Sequence, residues 1–327
     1  MIQFFKSWIL ITRAYALPMS VFSWFVAYAY SIIDNGNSTY GLIALAGICL
    51  AHLGANMFDD FVDYHLLTKK YDKDNKLKFL NAQRNKCSYI TNSIITVNQL
   101  LLASLLFLAA ACLVGVYLAY KTGIGVYIFM LMGGFLGLVY PLLGKFRLCE
   151  TAIALIYGPY LFGGVNYVMT GSYDWHTLIV CIPTMLMTVN LLYTDTMLDY
   201  DIDSRERKKT IANMFQSKWG GFRFHKILLA AAYLSVFLTA IFDIADWEIF
   251  LTWGTIPMAL NLLDSMKIYI IDNTTIPEKR GFANFMENWD EIEKDGAEAF
   301  MYRMYQARNL MICFSLIFGL TLILYSG

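Results

Sequence analysis

The chain has 327 residues, of which 58% are hydrophobic, 16% aromatic and only 15% charged. Soluble domains carry about 25% charged residues, so this composition, with a mean hydropathy of +0.50, excludes a soluble, disordered, collagen-like or disulfide-stapled chain and points to a membrane protein. Its 25 basic residues cancel its 25 acidic ones, which leaves no bulk field to draw it to nucleic acid.

A bilayer crossing needs about 20 apolar residues. Nine such stretches follow one another at residues 8–33, 40–61, 92–120, 124–143, 151–170, 176–198, 225–245, 247–266 and 307–326. They predict an all-α, polytopic membrane protein of about nine transmembrane helices, forming a single domain over 1–327. The first stretch shows no small-residue cleavage site and reads as a span rather than a signal peptide. Polar loops fall at about 62–91, 199–224 and 267–306. In the last of them Phe285, Trp289 and Ile292 share one side of an amphipathic helix. All Lys and Arg except Lys121 lie at the N-terminal end or in loops that alternate crossing puts on the same side. The positive-inside rule therefore predicts a cytoplasmic N-terminus and an external C-terminus. The six cysteines include no CxxC pair, so they suggest neither a zinc site nor a disulfide framework.

Two span ends are crowded with acids. At the end of the second span, Asn56, Asp59, Asp60 and Asp63 are offset by three, four and seven residues and share one helix face. At the end of the sixth, Asp195, Asp199 and Asp203 recur every four residues, followed by Arg205, Arg207, Lys208 and Lys209. Both ends belong to the same membrane face, so they can oppose each other across a central cavity. Carboxylates this close oppose each other's ionisation, and a divalent cation removes that cost. Oxygen ligands without His or Cys suit Mg²⁺, completed by phosphate oxygens. The neighbouring cations fit a bound diphosphate, whose departure would leave an allylic carbocation in an aromatic-lined chamber. Two other readings remain open: solvated helix edges, and an ion-coupled transporter. The second is disfavoured because the acids sit at one face rather than mid-bilayer.

The run Asn56 to Asp63, the string Arg13-Ala14-Tyr15-Ala16-Leu17-Pro18-Met19-Ser20, the string Gly164-Val165-Asn166-Tyr167-Val168-Met169-Thr170-Gly171, and the second acidic run from Asn190 through Lys209-Thr210 together resemble the UbiA superfamily of intramembrane prenyltransferases. Within it they are most similar to the branch that prenylates 1,4-dihydroxy-2-naphthoate in menaquinone synthesis. The resemblance covers about residues 8–215 and implies nine helices around a cavity in a bacterial inner membrane. It also implies transfer from a polyprenyl diphosphate to a small aromatic acceptor, with two Mg²⁺ ions. One ion would be held by Asn56, Asp60 and Asp63 with support from Asp59, the other by Asp195, Asp199 and Asp203. Lys209, then Lys208 and Arg84, would bind diphosphate, with Lys145, Arg147 and Arg13 as helpers, and Tyr140, Tyr167 and Tyr193 would line the chamber. The sequence departs from the family pattern at Asp59 (Asn in the family), Leu67 (Asp), Thr194 (Arg) and Arg207 (Gly). These departures leave other acceptors open: hydroxybenzoate, haem or a glyceryl phosphate lipid.

Overall fold

The computed structural model describes residues 2–70, 87–91, 93–205, 209–278, 289–294 and 296–325, and among these every regular element is helical. The first predicted span is two helices. α1 (Ile2–Ile11) ends in a turn at Thr12 and Arg13, and a short 3₁₀ stretch leads into α2 (Pro18–Ile33). Pro18 opens α2 at a position where its missing N–H costs nothing. Arg13 is left-handed, with φ 54°, a conformation that costs a non-glycine residue about 1 kcal/mol.

α3 (Ser38–Lys70) runs nine residues beyond the predicted end of the second span, into what the sequence suggested was loop. A helical turn at Ser88–Thr91 then packs on α1. α4 (Val97–Thr122) starts at a capping box, in which the Thr96 hydroxyl accepts from Gln99 N at 3.3 Å and the Gln99 side chain accepts from Thr96 N at 3.0 Å. α5 (Val126–Leu143) follows a turn at Gly123, whose φ of 123° requires glycine. α6 (Cys149–Thr170) is π-helical at Ile156–Tyr160, where Pro159 has no N–H to continue the ladder. α7 (His176–Leu198) ends at Asp199 and is followed by a short helix at Tyr200–Arg205. α8 (Lys218–Ile241) is capped by Ser217, which accepts from Gly220 N at 3.1 Å. A 3₁₀ helix at Trp247–Thr255 leads into α9 (Ile256–Ile271), a helix at Trp289–Lys294 follows, and α10 (Glu298–Tyr325) ends the chain.

Among the described residues eight helices are long and apolar enough to cross a bilayer. The predicted span at 247–266 is the one outside that set: it divides between a 3₁₀ helix at Trp247–Thr255 and α9, which carries Asp264 and Lys267. α10 begins at Glu298, nine residues before the predicted start of the last span. In the preceding loop Trp289 meets the Tyr302 ring edge-on at 6.4 Å and Ile292 is buried, while Phe285 lies outside the described residues.

α2 sits in the middle of the bundle, against α3, α6, α7 and α10. α4 packs along α3, and α8 along α7. One large apolar core joins α2, α6, α7, α8, α9 and α10. A smaller one, built from Ile11, Met57, Cys87, Tyr89, Ile90, Ile95 and Leu100, holds the 87–95 segment and α1 against α3. The outer faces of α4 and α5 expose Leu102, Leu106, Leu113, Ile128, Leu131 and Phe135. Lipid tails are the solvent such a surface fits.

Candidate active site

The left-handed turn at Arg13 aims its side chain at α3. One guanidinium nitrogen donates to Asp59 Oδ2 at 2.9 Å and to Asp60 Oδ1 at 3.3 Å. Asn56, one turn earlier on α3, donates to the Thr12 carbonyl at 3.2 Å, which ties the helix break to the first acidic run. Asp60 is buried, and its second oxygen accepts the Tyr89 hydroxyl at 2.5 Å. Burial first, and then the charge of Asp60, push that hydroxyl far above the ordinary phenol range, so it stays a donor. Asp63, a turn further on, is half-buried.

The second acidic run straddles the end of α7. Thr188 approaches Ser23 of α2 at 3.5 Å, and Asp195 and Asp199 continue that inner side at steps of seven and eleven residues. Asp203 is buried in the short helix beyond, where its N–H donates to the Asp199 carbonyl at 2.8 Å. Tyr140 on α5 is within electrostatic reach of Cys149, Asp59, Arg13 and Asp195, and so of one acid from each run. It is the one predicted aromatic wall residue that the structure brings to the acids.

The other two tyrosines are placed elsewhere. Tyr193 is buried against α8, donating to the Gly221 carbonyl at 2.9 Å. Tyr167 covers the α4–α5 turn, where its hydroxyl would meet a Cβ on Gly123 at 2.8 Å and its ring one on Gly125 at 2.4 Å, at the end of the bundle opposite the acids. The seven-residue step between Asn190 and Met197 shows why Tyr193 is lost to the site: that stripe of α7 faces α8.

Two loops meet at the acidic end. Lys209 N–H donates to the Gly144 carbonyl at 2.9 Å, and Ile211 N–H donates to the buried Glu150 carboxylate at 3.0 Å. Lys209 therefore sits on the loop that carries Lys145 and Arg147, and all three side chains are exposed. Arg84 and Lys208 lie outside the described residues.

Deeper in the bundle is a polar group that the motifs did not mark. His52 Nδ1 lies 2.6 Å from Ser20 Oγ and 3.0 Å from the Tyr157 hydroxyl. It sits two turns below Asp59 on α3, opposite the π-helical turn of α6. A second histidine, His225 on α8, is fully buried, with Nε2 2.6 Å from Asn190 Oδ1. Their signal was available, because ionisable residues inside spans are costly and mark function or a specific polar contact.

Among the described residues no three His, Cys, Asp or Glu side chains converge as a finished metal site. Arg13 meets the charge of Asp59 and Asp60 instead, and both Asp60 oxygens are engaged by protein groups. The donor chemistry of the two runs, oxygen alone without thiolate, still suits a hard divalent cation.

The fold is shared with solved intramembrane proteins. A digeranylgeranylglyceryl phosphate synthase superposes with a TM-score of 0.60 at 13% identity, covering 98% of both chains. A UbiA homologue from Aeropyrum pernix K1 gives 0.60 at 12%, over 93% of this chain and 96% of its own. A UbiA homologue from Archaeoglobus fulgidus bound to GPP and Mg²⁺ gives 0.52 at 13%, over 93% and 99%. No curated protein sequence matches the chain. Residues 16–288, which contain both acidic runs and the paired cationic loops, match the UbiA prenyltransferase family, and the chain belongs to that family.

Proposed function

We propose that the chain transfers a polyprenyl group from its diphosphate to a small aromatic acceptor, a 1,4-dihydroxy-2-naphthoate-like quinone precursor. It would do so as one domain spanning 1–327 in a bacterial inner membrane, with its acidic end cytoplasmic. The observation that carries this reading is the surroundings of Tyr140: an acid of each run, Asp59 and Asp195, lies within its electrostatic reach, with Lys145, Arg147 and Lys209 gathered on two hydrogen-bonded loops at the same end.

Asn56, Asp59, Asp60 and Asp63 would hold one Mg²⁺, and Asp195, Asp199 and Asp203 the other, as the A. fulgidus homologues bound to GPP or DMAPP also contain Mg²⁺. When bound, the ions neutralise the diphosphate as it departs. Arg13 is charge-matched to Asp59 and Asp60, and its guanidinium would be able to turn to a phosphate oxygen were those carboxylates to hold a divalent cation. Lys209, Lys145 and Arg147 bind the outer phosphate oxygens, with Lys208, next to Lys209 in sequence, and Arg84 as further cations. The allylic C–O bond breaks with its electron pair going to the diphosphate. A ring carbon of the acceptor then supplies the pair for the new C–C bond, and the ring gives up a proton. Tyr140 presents a π-face beside the cationic carbon. Ser20, His52 and Tyr157 are the polar groups within reach of an acceptor lying deeper between the helices.

The test is a product assay. Purified protein, Mg²⁺ and labelled prenyl diphosphate are offered dihydroxynaphthoate, hydroxybenzoate, haem and a glyceryl phosphate lipid, and products are identified by mass. Prenylated naphthoate as the main product supports the reading; a prenylated glyceryl lipid or haem as the main product overturns the acceptor while keeping the reaction.

A further inference from the structure

α8 and α9 enclose a groove of about 400 Å³ on the outside of the bundle, lined by Trp219, Phe222, Arg223, Lys226, Leu260, Leu263, Asp264 and Lys267. It opens at the acidic end: Tyr269 of α9 donates to the Leu198 carbonyl at the end of α7 at 3.1 Å, and Trp219 lies in the first turn of α8. Arg223, Lys226, Asp264 and Lys267 are exposed, and among the described residues none of the four forms an ion pair. The Lys226 ammonium lies 5.4 Å from the centre of the Phe222 ring, so its stem runs along the apolar floor with its charge at the rim. Three cations against one acid leave the rim at a charge of +2, above a floor of Phe222, Leu260 and Leu263 and beside an exposed indole of the kind that settles at the headgroup level.

We propose that this groove binds the phosphate of an anionic bilayer lipid, with the basic rim on the headgroup and the acyl chains continuing down between α8 and α9. Basic pockets between membrane helices on the positively charged side fit that chemistry. The site is separate from the acidic chamber. Arg223 and Lys226 face outward, while His225 between them faces Asn190 of α7 at 2.6 Å. A lipid seated in the groove therefore lies against the outer side of α8, whose inner side packs through His225 on the helix that carries Asp195.

The test uses native mass spectrometry of the full-length protein in neutral detergent, titrated with phosphatidylglycerol, phosphatidylcholine or inorganic phosphate. Wild type retains phosphatidylglycerol over phosphatidylcholine. In R223Q/K226Q/K267Q retention falls by about 100-fold, at about five-fold per basic residue. Asp264→Asn, which removes the one repulsive group and keeps the cations, tightens it. Equal phosphatidylglycerol retention by wild type and the triple variant overturns the site, as does Asp264→Asn leaving retention unchanged. Inorganic phosphate displacing the lipid at equal concentration overturns the lipid assignment in favour of a free-phosphate site.

Discussion

Asp60 shows how much of a site depends on single groups. Its two oxygens are engaged by Arg13 and Tyr89 in a buried position, which fixes the carboxylate in direction. Tyr89→Phe keeps the ring in its apolar cluster and removes the hydroxyl's hydrogen bond to the buried Asp60 carboxylate. The expected cost is about 1–3 kcal/mol, read as a lower melting temperature in detergent; melting at the wild-type temperature would show that the hydrogen bond does not stabilise the fold. Lys209 is the opposite case. Its backbone is anchored on Gly144 and its side chain is exposed, so Lys209→Ala leaves folding alone. The KM for prenyl diphosphate rises about ten-fold, the loss of one charge-assisted hydrogen bond, and an unchanged KM would remove Lys209 from the diphosphate site.

At the scale of elements, what the sequence made legible is what periodicity and charge spacing control. The one-face placement of Asn56, Asp59, Asp60 and Asp63, and the inner-face repeat of Asp195 and Asp199, follow from the helix period alone. Helix ends were less legible. α3 passes residue 61 because Tyr64 and its neighbours add another packed turn, and no stop signal of Gly or Pro stands there. The break at Arg13 was hidden inside an apolar run, since it is stabilised by tertiary contacts to Asn56, Asp59 and Asp60 that no local pattern encodes. Tyr193 and Tyr167 were misplaced for a related reason: aromatic residues abound on every face, and only neighbours decide which face is inside. The α7–α8 clasp is likewise tertiary. His225 and Asn190 share a buried hydrogen bond, so His225→Leu and Asn190→Leu should each destabilise by about 1–3 kcal/mol. The double variant should lose less than the sum, by at least about 0.5 kcal/mol. Strict additivity in denaturation would mean that the two side chains are not coupled.

Over the whole molecule, the balanced charge separates in space. The acidic runs, the Lys145–Arg147 loop, Lys209 and the basic groove all gather at one end, while Lys121 and Tyr167 mark the other. If that end is cytoplasmic, Lys145→Cys in a cysteine-free background resists a membrane-impermeant maleimide in intact cells, and Ser172→Cys, in the exposed turn between α6 and α7, is labelled. The reverse pattern would invert the orientation. The central claim, that two opposed acidic helix ends carry out metal-dependent prenyl transfer, is tested most directly by one measurement. Prenyl transfer from a labelled prenyl diphosphate is followed with and without Mg²⁺ for the wild type, Asp60→Asn and Asp199→Asn, each confirmed as folded by its size-exclusion profile. The account predicts transfer by the wild type only with Mg²⁺, and a fall of at least about 100-fold in either variant. Wild-type turnover by both variants, or transfer that persists in a chelator, would contradict it.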